Sequence, residues 1–136
     1  MNHANIIWFE IPVKNLNRAM EFYEELLGIK LEKKTLHKIE YGMFPKKNTG
    51  IGGVLVEKPE QAGKGVSLFF FVNVLSDALT SAMAHGGKVI TPKTILKQIN
   101  QEGQLILAQN LIDNQVGYFA EILDSEGNQL ALYSHN

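Results

Sequence analysis

Cysteine is absent from the chain, which excludes disulfides, thiolate zinc sites and a thiol nucleophile together. A dominant charge is lacking as well. Lys plus Arg number 13 against 14 Asp plus Glu, so nothing electrostatic calls for DNA, RNA or an acidic membrane as partner. No apolar run is long enough to span a bilayer, and the polar start Met1 to Asn5 has neither a basic region nor an apolar signal core. A soluble cytoplasmic protein is the expectation. At 136 residues, 45% of them hydrophobic, the chain is expected to fold as one domain covering residues 1–136.

What is present is a duplication. Val13, Leu16, Ala19 and Gly28 recur as Val72, Leu75, Ala78 and Gly87, at a constant offset of about 59 residues. Two modules, about 5–58 and 65–136, follow, joined by the polar stretch Lys58 to Gly65. The first opens on the apolar run Ile6 to Val13, whose alternation puts Ile7, Phe9, Ile11 and Val13 on one face and Trp8, Glu10 and Pro12 on the other. Asn15 is placed to cap a helix carrying Leu16, Ala19, Met20, Tyr23, Leu26 and Leu27 at the 3.6 period, and Gly28 to close it. Lys30 to Leu36, Ile39 to Phe44 and Ile51 to Glu57 are strand candidates, the last two separated by the turn-prone Pro45 to Gly50. The order is β-α-β-β-β.

The second module repeats it. Val66 to Val72 is a strand with Ser67, Phe69 and Phe71 on one face; Leu75, Ala78, Leu79 and Ala82 mark a helix that ends at Gly86-Gly87; Lys88 to Thr94 is the next strand. Gly117 to Leu123 and Gln129 to Ser134 form a hairpin about Asp124 to Asn128. Residues 95–116 have no counterpart in the first half. Ile95 to Ile99 and Leu105 to Gln109 flank Asn100 to Gly103, a pattern expected to extend the sheet as a hairpin that covers a cavity or reaches a second subunit. The plainer alternative is an exposed, decorative hairpin.

Two fused β-α-β-β-β units, the segment Ile11 to Ala19 ahead of Phe22-Tyr23, and the ending Leu123 to Asn128 together resemble the vicinal oxygen chelate superfamily, which holds glyoxalase I, extradiol dioxygenases and the bleomycin and fosfomycin resistance proteins. The resemblance implies an α+β fold of two tandem βαβββ modules whose curved mixed sheets enclose a cavity. It implies a homodimer, and in the enzymes a divalent metal held by His and Glu on inward-facing strand positions. Ferredoxin-like dimeric barrels share the βαββ patterning and are the competing fold. The doubled register argues against them.

Carried over slot by slot, the resemblance assigns the metal-ligand positions to Trp8, Ser67 and Ala131, with the first-module counterpart of the last near Gly52 and Gly53. None of these offers a good ligand for zinc, iron or nickel. No cofactor is therefore expected, and a divalent metal is disfavoured. Of the four histidines, His3, His37, His85 and His135, surface positions are expected for all. Two carboxylates carry more interest. Glu10 shares its face with Trp8, and a type I turn with Gly127 in the left-handed conformation would set Asp124 against Asn128 and Glu121 opposite Ala131.

The candidate cavity residues are thus Trp8, Glu10, Ser67, Phe69, Phe71, Phe119, Glu121, Ala131 and Tyr133. Glu10 has three readings. It ties the structure together through hydrogen bonds from backbone or Tyr133, it acts as a general base or substrate anchor with a raised pKa, or it joins Glu121 in holding a hard cation. Two functions remain in play. One is a metal-free member of the family binding a small organic molecule in an aromatic cavity; the other is an enzyme, a lyase, isomerase or dioxygenase with unusual ligands or a Glu10-based acid-base catalyst. A homodimer without a small-molecule role is a third possibility.

Overall fold

The protein is described from a computed structural model covering residues 5–36, 38–45, 50–96, 98–99, 105–106, 111–113 and 115–136. His3, His37, most of the turn expected at Pro45 to Gly50, the turn at Asn100 to Gly103 and Gln109 lie outside the described residues. The chain divides into two compact units, Trp8–Ser67 and Leu68–Asn136, the latter joined by Met1–Ile7.

The first unit is built from β1 (Ile6–Val13), α1 (Leu16–Leu27), β2 (Glu32–Leu36), β3 (Ile39–Met43) and β4 (Gly52–Glu57). Asn15 caps α1 as its sequence position requires, its Oδ1 accepting from the Arg18 N–H at 2.9 Å. Gly28 closes the helix in the left-handed conformation, at φ 65°, with its N–H on the Glu24 carbonyl. The strand order is β2-β3-β4-β1. β1 runs parallel to β4, and the other pairs are antiparallel. The helix lies on the face carrying Ile11 and Val13, where Val13, Leu16, Leu31 and Leu55 form a buried cluster with Met20, Tyr23 and Phe44 packed around it. Gly53 is needed here. It pairs with Phe9, whose ring occupies the space a β-carbon at Gly53 would take.

The second unit contains β5 (Ser67–Phe71), α2 (Leu75–Ala84), β6 (Lys88–Ile95), β9 (Tyr118–Leu123) and β10 (Gln129–Ser134), after the short pair β7 (Gln98–Ile99) and β8 (Leu105–Ile106). Its strand order, β6-β9-β10-β5, repeats that of the first unit, with the last strand again parallel to the first and the rest antiparallel. The duplication seen in sequence is therefore a duplication of topology. Leu75 of α2 forms a buried cluster with Ala120, Ile122 and Leu132, and Phe70 and Val72 join that core. Phe70 is thus a packing residue, as alternation on β5 requires.

Two expectations are corrected. The insertion does not extend the main sheet: β7 and β8 pair only with each other among the described residues, forming a separate two-stranded sheet. The residue read as its beginning, Ile95, instead belongs to β6, paired with Tyr118, and the next N–H, that of Leu96, carries the pairing on to the Gly117 carbonyl. Several strands also begin later than expected. Lys30 and Leu31 precede β2, and the Leu31 N–H is taken by the Glu24 carboxylate at 2.8 Å rather than by a neighbouring strand. Among the described residues no helix is long and apolar enough to cross a membrane.

Candidate functional site

In each unit the helix occupies one face of the sheet, so the functional candidates belong to the other. In the first unit that face carries Trp8, Glu10 and Pro12 on β1, Val54 and Val56 on β4, and Tyr41 and Met43 on β3, since residues directly paired share a face. Trp8, Val54 and Val56 are buried. Glu10 sits among them as the charged exception. The Lys58 ammonium reaches its Oε1 at 3.2 Å, and the Glu10 side chain keeps 19% of its surface exposed against 39% for Lys58. Burial pushes the Tyr41 phenol above its ordinary 10.0, and the Glu10 charge adds to that push.

In the second unit the face away from α2 carries Phe69 and Phe71 on β5, Ala131 and Tyr133 on β10, and Phe119 and Glu121 on β9. Ala131 stands directly opposite Glu121 on one side and Phe69 on the other. The hairpin that sets this register has the conformation its sequence suggests, with Gly127 at φ 87° and the Asp124 N–H on the Asn128 carbonyl at 2.8 Å. Glu121 is fixed by two neutral donors. The Thr91 hydroxyl donates to Oε1 at 2.8 Å and the Gln129 amide to Oε2 at 3.2 Å. Phe71, Phe119 and Glu121 are half-buried, whereas Phe69, Ala131 and Tyr133 are buried.

At the Tyr133 end the last part of the insertion, at Asp113, contacts this face, which the sequence reading missed. The Tyr133 hydroxyl donates to Asp113 Oδ1 at 2.8 Å, and His135 Nε2 lies 2.7 Å from Asp113 Oδ2. The His135 ring meets Phe71 and Tyr133 edge-on, with centroids 5.5 Å from each. His135 is therefore no surface histidine. Its side chain keeps 30% of its surface, because an aromatic pair and a carboxylate surround it, and only the 20 to 22 residues separating it and Tyr133 from Asp113 hid this. His85 does lie exposed, with Nδ1 2.8 Å from the Ser81 carbonyl.

The metal-ligand slots can now be tested on their donors. Pairing of Phe69 with Ala131 matches pairing of Glu10 with Val54, so the first-unit counterpart of Ala131 is Val54, one or two residues beyond the glycines at which it was expected. A valine and an alanine offer no lone pair. The Trp8 indole is a donor only, and Ser67 supplies a hydroxyl that is a poor ligand for a transition metal. Among the described residues no three His, Asp or Glu side chains come together in a way that could hold an ion. The side chains at the positions that the resemblance assigns to ligands are therefore poor donors for a transition metal.

The sequence pattern of the Glyoxalase/Bleomycin resistance protein/Dioxygenase superfamily matches residues 2–98. The chain belongs to this superfamily. Similar solved structures agree on the fold: a hypothetical protein from Bacillus halodurans C-125 superposes with a TM-score of 0.60 at 12% identity, covering 96% of this chain and 94% of that one. Methylmalonyl-CoA epimerase from Mycobacterium tuberculosis gives 0.58 at 14% identity, with 97% and 88% covered. A Legionella pneumophila structure described as an NAD-dependent benzaldehyde dehydrogenase gives 0.56 at 20% identity, with 95% and 98% covered. No curated protein matches the chain. At these identities the likeness carries the fold and leaves the reaction open.

Proposed function

We propose that this superfamily member binds a small organic molecule on the aromatic face of its second unit, without chelating it to a metal. The observation that carries this reading is Ala131. Its slot, which the family resemblance assigns to a carboxylate ligand, holds a buried methyl group between Phe69 and Glu121. The half-buried rings of Phe71 and Phe119, backed by the buried Phe69, offer apolar area, and the fixed Glu121 carboxylate offers one polar anchor, the combination that small-molecule sites use. A homodimer acting in the cytoplasm belongs to the same proposal.

The test combines elemental analysis of protein purified without chelator, a thermal-shift panel of divalent cations, and native mass spectrometry for a co-purified organic ligand. Sub-stoichiometric metal together with a bound organic mass is the expected result. Stoichiometric Zn, Ni, Fe or Mn that raises the melting temperature would overturn the proposal.

A second reading rests on Glu10. A carboxylate flanked by Lys58 and Tyr41 has the groups that acid-base catalysis uses, and proton abstraction from a carbon acid is the reaction class it suits. Loss of turnover in Glu10→Gln with ligand binding intact is the result that would favour it over sequestration.

A further inference from the structure

Resting on the aromatic-face reading, we infer that the ligand of the second unit presents a protonated nitrogen, an organic ammonium, to Glu121. The two oxygens of this carboxylate each already accept one hydrogen bond, from Thr91 at 2.8 Å and from Gln129 at 3.2 Å. Both donors are neutral. They orient the group and leave its charge uncompensated, for no ion pair to Glu121 occurs among the described residues. What the half-buried carboxylate lacks is therefore a positive charge more than a further neutral donor.

The neighbouring side chains select in the same direction. Phe119 shares the Glu121 strand face, and Phe69 stands across Ala131 from it; ring faces carry negative electrostatic potential and attract a cation while repelling an anion. An arylalkyl or alkyl ammonium answers both features at once, its body lying on the rings and its nitrogen on the carboxylate. A carboxylic acid of the same shape meets repulsion from both. Thr91 and Gln129 are positioning residues in this arrangement, since they act through Glu121.

The experiment is calorimetric titration of the full chain with three compounds of one shape: phenethylamine, phenethyl alcohol and hydrocinnamate. The amine is expected to bind about tenfold or more tighter than the alcohol, with the acid weakest. Glu121→Gln, which keeps the side chain's size, should remove the amine's advantage, so that amine and alcohol bind alike in the variant. Equal binding of amine and alcohol, or tightest binding of the acid, overturns the inference and leaves the small-molecule reading standing. A preference for the amine that survives in Glu121→Gln overturns the role given to Glu121. Failure of all three to bind removes the aromatic-face reading and the inference with it. The comparison within the unaltered protein decides between amine and alcohol even if the variant does not fold.

Discussion

The hydroxyl of Tyr133 donates to Asp113 Oδ1 at 2.8 Å, fastening to the face of β10 a segment that enters from the insertion. Tyr133 is wholly buried, and Gly117 lies so close to its ring that a β-carbon there would overlap the hydroxyl and the ring edge. Asp113 is shared, because His135 Nε2 is 2.7 Å from its other oxygen. A single carboxylate thus holds the two aromatic side chains at the end of the strand, and Ile112 beside it is buried.

Tyr133→Phe removes a donor from a partly buried carboxylate, and hydrogen bonds to charged groups contribute roughly 1.5–3 kcal/mol. Urea unfolding should show a loss of that order, whereas Asp124→Asn in the exposed hairpin serves as a milder control. Gly117→Ala should cost at least about 1–3 kcal/mol through overpacking. A neutral Gly117→Ala would mean that the ring of Tyr133 does not lie where it is placed here.

Tyr41 makes the alkaline limb of stability informative. Its phenol holds its proton more tightly in the folded chain than its ordinary 10.0 allows, first through burial and then through Glu10. Below pH 10.0 both folded and unfolded chains keep the proton, and the contribution is complete. Above it the unfolded chain deprotonates first, so stability falls as pH rises through the folded value. Tyr41→Phe should flatten that slope in urea midpoints measured against pH. In tyrosinate absorbance, Glu10→Gln should move the Tyr41 titration only part of the way back, since burial remains.

The Lys58–Glu10 pair should matter little to stability. With 39% of the Lys58 side chain exposed, solvent and salt screen the interaction, and such pairs are worth about 0–1 kcal/mol. Lys58→Met is expected to lower the melting temperature slightly at low ionic strength and not at high ionic strength. A large, salt-independent loss would show that Lys58 does more than neutralise Glu10.

Legibility in the sequence followed the range of the interactions. α1 could be bounded to the residue because Asn15 and Gly28 act on their own turns, and the faces of Trp8, Glu10, Phe69 and Phe71 followed from alternation alone. Glu121 opposite Ala131 was accessible too, since one hairpin with Gly127 sets the register. The Asp113 contacts were not, because Asp113 lies in the insertion, which has no template in the first half, and its partners are 20 and 22 residues away. Lys58 as the partner of Glu10, 48 residues away, was hidden for a similar reason: it sits in what composition marks as a linker. Val54 as the true counterpart of Ala131 needed the pairing of β1 with β4, which a cluster of glycines left open by a residue or two.

The same hairpin supplies a pH test of opposite sign. The backbone N–H of Asn128 holds the Asp124 carboxyl below its ordinary 3.8, helped by the Asn128 side chain and the backbone N–H of Glu126. A carboxyl lowered on folding contributes stability that is complete above 3.8 and drains away as pH falls through the folded value. Because the group is fully exposed, the effect should be confined to the turn. Its donors at Glu126 and Asn128, 2.8 and 2.9 Å from Asp124 Oδ1, should lose amide-exchange protection as the pH falls, while the β9 and β10 amides paired at Ala120 and Leu132 keep theirs. Asp124→Ala should abolish that protection at neutral pH as well. If the turn amides stay equally protected in the variant and across the acid range, Asp124 does not organise the turn, and the register of Glu121 against Ala131 must come from strand packing alone.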